Sequence, residues 1–466
     1  MSGGTGVTPM TAAEIAYAVG SGSVSAKDVV EASLVQIEKR NPAINAFTDV
    51  TADAALADAR KIDDAVAAGT RLPLAGVPFA VKNLFDIEGV VTRAGSKINR
   101  GNAPATADAT LVKHLRRQGA VLMGGLNMGE YAYDFTGENI HDGNCLNPHD
   151  LSRMSGGSSS GSGAAVASGM VPVSLGSDTN GSIRVPSSFC GLFGLKPTYG
   201  RLSRHGTYPF VGSLDHLGPM ARSAADLALV FDVLQGADPI DPAQAARPAL
   251  ATYEQIDQGA DRLRIAVAGG YFRERAEPEA LAAVDTVARA LGASDEIDIT
   301  EAARARAAAY VITSAEGANL HFDRIVARPG DYDPDTRDRF LAGTTVPALW
   351  VQQAQRFRSW FRAKMRRIFE DVDILLAPAT PFSALPSGTK TITLDGITMP
   401  ARPNIGLFTQ PVSFIGLPVV AVPVWLEGAA LPIGVQVIAP AWREDLALRA
   451  AAELERTGVC RAPVAA

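Results

Sequence analysis

Along the first 70 residues the apolar positions recur at helical spacing. Residues 10–19 carry a short helical pattern that stops at Gly20. In the next segment Val29, Val30, Leu34 and Ile37 share one face, Ser25 and Asp28 have capping-box spacing, and Lys39, Arg40 and Pro42 close the helix. The Ala-rich residues 52–68 predict a third helix. The period then changes: PLAGVPFAV at 73–81 reads as a buried strand that ends on Lys82. Residues 106–118 predict an amphipathic helix and 120–124 a following strand. This strand-helix-strand rhythm predicts an α/β core with a largely parallel sheet.

Residues 154–200 are crowded with Gly and Ser, but apolar runs at 171–175 and 189–195 and a small-residue helical run at 163–168 interrupt them. A disordered tether would lack such runs. Further on, 224–234 is helical, ADPIDPAQAARP is a connector, and 263–268 opens a new strand. Residues 276–370 are mostly helical. Strand character returns at 373–376, 419–424 and 433–438, and 445–456 is a last helix. The late strands are expected to rejoin the early sheet, giving one domain over 1–466. Its parts are N-terminal helices (1–70), a core (71–235), a mostly helical excursion (236–370) and a return to the sheet (371–466).

Composition narrows the function classes. With 466 residues, 47% hydrophobic and 20% charged, the chain has ample material for a core. A net charge of −6 without long runs of one sign argues against nucleic acid or an anionic membrane as partner. No signal-peptide pattern is evident, and no run of about 18 apolar residues could span a bilayer. Three scattered cysteines without CxxC spacing argue against a disulfide framework or a zinc cage, so a cytoplasmic protein without metal or cofactor is expected.

Candidate chemistry sits in three places. A lysine closing a buried strand either snorkels to the surface and pairs with Asp86 or Glu88, or stays buried and uncharged as a base. Serines in Gly-rich loops ordinarily cap helices or turn the chain. The stretch 157–161 matches the G-x-S-x-G nucleophile elbow, but no hydrophobic strand precedes it and no histidine has a marked context. A phosphate-binding loop is excluded because no GK[ST] follows the glycines.

AVKN at 80–83, GGSSSGSGAA at 156–165 and LGSDTNGSIRVPSSFCGLFGLKPTYGRLSR at 175–204 together resemble the amidase signature family. FTQPVSFIGLPVVAVPV at 408–424 and GVQVIAP at 434–440 belong to the same pattern. The resemblance implies a large mixed β-sheet surrounded by helices and a hydrolase of small, linear, non-peptide amides. It implies Lys82 as base, Ser158 as bridging serine after a cis peptide bond, and Ser182 as nucleophile. It also implies an oxyanion hole from the backbone N–H groups of Thr179, Asn180, Gly181 and Ser182. Asp178 and Arg184 would brace that turn, and Ser177 would hydrogen-bond the relay. Two positions depart from the family pattern: Asn180 and Ser160 stand where glycine is common.

Segments 83–100, 124–139, 210–219 and 402–414 resemble a branch of the family that acts on small ureides such as 1-carboxybiuret, releasing ammonia. That likeness implies a homodimeric or heterotetrameric assembly with a small non-catalytic subunit. Tyr131, Tyr133 and Asp134 are candidate substrate contacts, and Arg204, Arg324 and Arg402 are candidate partners for a substrate carboxylate. A broader aryl or aliphatic amidase, the amidase subunit of a tRNA-dependent amidotransferase, and a non-catalytic scaffold are the competing readings.

Overall fold

The computed structural model describes residues 10–466; the expectation of no leader concerns residues partly outside that span. Eleven strands form one sheet: β1 (Phe47–Val50), β2 (Pro78–Lys82), β3 (Val121–Leu126), β4 (Val173–Asp178), β5 (Phe193–Lys196), β6 (His216–Ala221), β7 (Ile265–Gly269), β8 (Asp295–Asp298), β9 (Ile374–Pro378), β10 (Val419–Val424) and β11 (Ile433–Ile438). Their spatial order is β1-β3-β2-β4-β6-β5-β10-β11-β9-β7-β8. The late strands β10 and β11 therefore follow β5, in the same sheet as the early ones.

The sheet is mixed rather than largely parallel. β2 pairs in parallel with β3 and β4, where helices intervene in the chain. From β4 onward most neighbours run antiparallel, as in β4–β6, β5–β6 and β10–β11. The segment between β10 and β11 is too short for the crossover that a parallel pair needs. Short connections decide the direction there, which apolar periodicity does not encode.

Local signals account for the surrounding helices. Ser25 caps the helix Ala26–Ile44 by accepting the Asp28 N–H at 2.9 Å. Pro42 does not end it. The helix runs on to Ile44 and stops at Asn45, which adopts φ +59°. Ser223 likewise caps the helix Ala224–Leu234. Two helices that bear on the site cross over it later in the chain: Ala302–Ala327, and Pro334–Gly343, where Asp333 is the cap. Among the described residues no helix is long and apolar enough to cross a membrane, and no His/Cys/Asp/Glu group could hold a metal ion.

Candidate active site

β2 occupies the sheet interior between β3 and β4, and every one of its five residues is buried. Lys82, at its end, is fully buried and pairs with neither Asp86 nor Glu88. Its Nζ donates to Ser158 Oγ at 2.7 Å and to Ser177 Oγ at 2.8 Å. Burial pulls the Lys82 ammonium down to about 7, although the carboxylates of Asp215, Asp178 and Asp134 oppose the shift. Lys196 is a second buried lysine, but its Nζ donates to the carbonyls of Pro197 and Leu417. Only Lys82, of these two, meets hydroxyls.

Ser158 lies in the loop before the helix Ser160–Ala167 and follows a cis Gly157–Ser158 bond. The loop is pinned on several sides. Gly157 N–H donates to Phe135 O at 2.9 Å, Gly129 N–H donates to Ser158 O at 3.1 Å, and Ser159 Oγ donates to Ser177 O at 3.1 Å. A side chain at Gly157 would place its Cβ 2.6 Å from Asp134 Oδ2, so glycine is required for this approach.

Thr179 to Ser182 form a turn between β4 and the helix Arg184–Cys190. No acceptor among the described residues takes the backbone N–H groups of this turn. Its shape is set by two anchors. Thr409 Oγ1 donates to Asn180 O at 2.6 Å, and Thr179 Oγ1 donates to Asp215 Oδ1 at 2.6 Å. Gly181 has φ +145°, and a Cβ there would collide with Thr409 Oγ1. Ser182 Oγ has no hydrogen-bond partner among the described residues.

Asp178 and Arg184 hold the turn from below. Arg184 Nε and Nη2 each reach an Asp178 oxygen at 2.9 Å, and Nη1 reaches Gln436 Oε1 at 2.6 Å. Burial alone would raise the Asp178 carboxyl, but Arg184, Lys196 and His216 outweigh it and hold it well below the usual carboxylate range. Both side chains are fully buried. Arg184→Met is therefore expected to strand a buried carboxylate and destabilise the fold by roughly 3–5 kcal/mol, read as a lower denaturation midpoint.

Two cavities adjoin the turn and share Ala132, Thr179 and Phe210 as wall residues. One, of about 300 Å³, also touches Ser177, Arg204, Tyr208 and Asp215. The other, of about 10 Å³, is lined by Ser182, Asn180, Tyr133, Thr313 and Arg339 among others.

The expected recognition residues fare differently. Tyr131 lines neither cavity. It is 1% exposed and packs in an aromatic cluster with Tyr208, His321, Tyr332 and Phe340. Tyr133 lines the smaller cavity. Asp134 does too, but its carboxylate is already occupied by the Thr136 N–H and hydroxyl, the Gly137 N–H and Arg402. Arg402 is surrounded by Asp134, Glu138, Asp333 and Asp335. Arg204 is held by Asp241, and Arg324 donates to the Tyr208 hydroxyl. The guanidinium that does line the cavity of Ser182 is Arg339, on the helix Pro334–Gly343. Nothing in its sequence context distinguishes it from the other arginines of that region.

Residues 28–448 match the Amidase family. The chain belongs to the amidase family. This amidase is 55% identical over 454 residues to AtzE, the 1-carboxybiuret hydrolase subunit of Pseudomonas sp. (strain ADP), with 97% of this chain and 99% of the relative covered. It is 35% identical over 474 residues to a glutamyl-tRNA(Gln) amidotransferase subunit from Chromohalobacter salexigens, covering 96% of each chain. Among solved structures it superposes with TM-score 0.96 and 55% identity on one described as an unexpected vestigial protein complex revealing the origins of an s-triazine catabolic enzyme, covering 97% of this chain and 99% of that one. A bacterial aryl acylamidase superposes with TM-score 0.88 at 26% identity, covering 97% of both. The amidase is thus a hydrolase of carbon–nitrogen amide bonds with the amidase signature fold.

Proposed function

We propose that this amidase hydrolyses a small ureide of the 1-carboxybiuret type, releasing ammonia through an acyl-enzyme on Ser182. The observation that carries the mechanism is the buried Lys82 amine, hydrogen-bonded to Ser158 beside a turn whose N–H groups lack acceptors. Uncharged Lys82 takes the Ser158 proton as Ser158 takes that of Ser182, and Ser182 Oγ bonds to the substrate carbonyl carbon. The oxyanion faces the N–H groups of Thr179–Ser182, where each donor is worth roughly 3–4 kcal/mol. The C–N bond then breaks, and the relay returns its proton to the departing nitrogen. Water attacks the acyl ester, and its proton restores Ser182.

The choice of ureide rests on the 55% identity to the carboxybiuret hydrolase subunit, against 35% to the amidotransferase subunit. A small non-catalytic partner belongs to the same reading. The relative's structure is described as a protein complex, and Leu349, Trp350 and Trp360 leave apolar surface exposed on the helix Ala348–Asp371. Three unpaired, buried cysteines suit a reducing cytoplasm. Ammonia release is the test, measured on 1-carboxybiuret, biuret, aryl amides and glutamine, with the mass of the purified assembly read in parallel. Highest kcat/KM on 1-carboxybiuret is expected. Turnover of aryl amides alone would replace this reading with a broad amidase, and glutamine turnover dependent on charged tRNA with an amidotransferase subunit.

A further inference from the structure

Three walls of the small cavity beside Ser182 come from separate lengths of chain. They are the segment with Tyr133 and Asp134, the helix Pro334–Gly343, and the helix Gln410–Ile415 with Gln410 at its start. All three lead to one side chain. Arg402 stands in the short helix Ala401–Asn404, just ahead of Gln410, and is 13% exposed. Each of its nitrogens meets a different stretch. Nε lies 3.4 Å from Asp134 Oδ1, and Nη1 lies 3.6 Å from Asp333 Oδ2. Nη2 lies 3.4 Å from Glu138 Oε2 and 3.7 Å from Asp335 Oδ2. Asp333 and Asp335 are the cap and first turn of the helix Pro334–Gly343. Asp134 also accepts the Thr136 and Gly137 N–H groups and lies against Gly157, the residue before Ser158. Among the described residues, the other cation on this cluster is exposed Lys390, 3.9 Å from Glu138 and 3.7 Å from Asp335. Without the guanidinium, carboxylates on facing walls would repel one another.

Resting on the reading of Lys82 as base and Ser182 as nucleophile, we propose that Arg402 is a positioning residue that locks these three walls in register. A planar fork with fixed donor directions can span three segments at once, whereas a lysine offers one point charge. Release of Asp134 would disturb the loop of Ser158, which packs directly against it. Arg402 also has an electrostatic part. The Lys82 amine faces the carboxylates of Asp215, Asp178 and Asp134, all of which favour its ammonium. Arg184 offsets Asp178, and Arg402 offsets Asp134. Loss of Arg402 therefore strengthens the pull of Asp134, and the amine becomes free only at higher pH.

The experiment measures pH profiles of kcat/KM for the native enzyme, Arg402→Ala and Arg402→Lys, on the amide that the native enzyme turns over fastest and well below each Tm. Arg402→Ala is expected to lose about 100-fold, chiefly in kcat, the scale of a small misplacement at a reacting centre. The acid limb of its profile is expected to move to higher pH. Added guanidinium, at concentrations well below those that unfold proteins, should refill the seat and restore both rate and limb. Sodium chloride of equal ionic strength only screens the repulsion and should restore less. Arg402→Lys should keep the native limb and lose part of kcat. A native rate and limb in Arg402→Ala, or equal recovery with the two salts, overturns the proposal. Where Arg402→Ala does not fold, Arg402→Lys decides, and a native kcat there overturns it too. Guanidinium is also expected to raise the Tm of Arg402→Ala but not that of the native enzyme. That difference, in a native enzyme inactive on every amide, would sink the proposed reaction and leave the three-wall lock standing.

Discussion

Ser182→Ala is expected to lower ammonia release by about 10⁶-fold while leaving the thermal unfolding midpoint within a few degrees of the parent. When one member of a nucleophilic relay is removed, what remains comes from binding and the oxyanion donors alone. Here the loss should be nearly total, because Ser182 is the hydroxyl of the turn that is left unengaged beside the small cavity. Ser158 does not replace it, since Ser158 lines neither cavity beside the turn. A slowly hydrolysed amide should leave a mass increment on the peptide containing Ser182 in the native enzyme and none in the variant. A variant keeping a tenth of native turnover would end the acyl-enzyme scheme.

The second large effect concerns Lys82. Lys82→Ala is expected to cost about 10³–10⁴-fold in kcat, within the range for loss of a positioned base. Lys82→Arg should be nearly as poor, because a guanidinium stays protonated at all working pH values. The native enzyme carries a further signature. The amine acts only when unprotonated, and burial brings its pKa down to about 7. Below that point most molecules hold the ammonium, so kcat/KM should fall about tenfold per pH unit. Above it the rate should level off. A profile that stays flat from the acidic side through neutrality would exclude this lysine as the base.

Several features are legible in the amino-acid order because the residues that cause them are neighbours along the chain. Ser25 and Ser223 cap their helices through side chains three positions from the amides they meet. The neighbourhood of Lys82 is legible for another reason: both of its hydroxyl partners fall within the Gly- and Ser-crowded residues 154–200. Sheet direction is not legible, because apolar periodicity marks a strand without saying how its ends are connected. Tyr131 shows a second limit. Its residue type suits a ligand wall as well as a core, and only packing against His321 and Phe340 decides for the core. Arg339 shows a third. It comes 157 positions after Ser182, and nothing local records that the two line one cavity.

The turn bearing Ser182 hangs from the central sheet, whereas Thr313 and Arg339 descend onto it from helices supplied much later in the chain. The turn and the helices that roof its cavity are thus encoded in separate lengths of polypeptide and can drift at different speeds. A descendant could exchange the canopy of residues 302–343 and reshape that cavity while the turn beneath it stayed as it was.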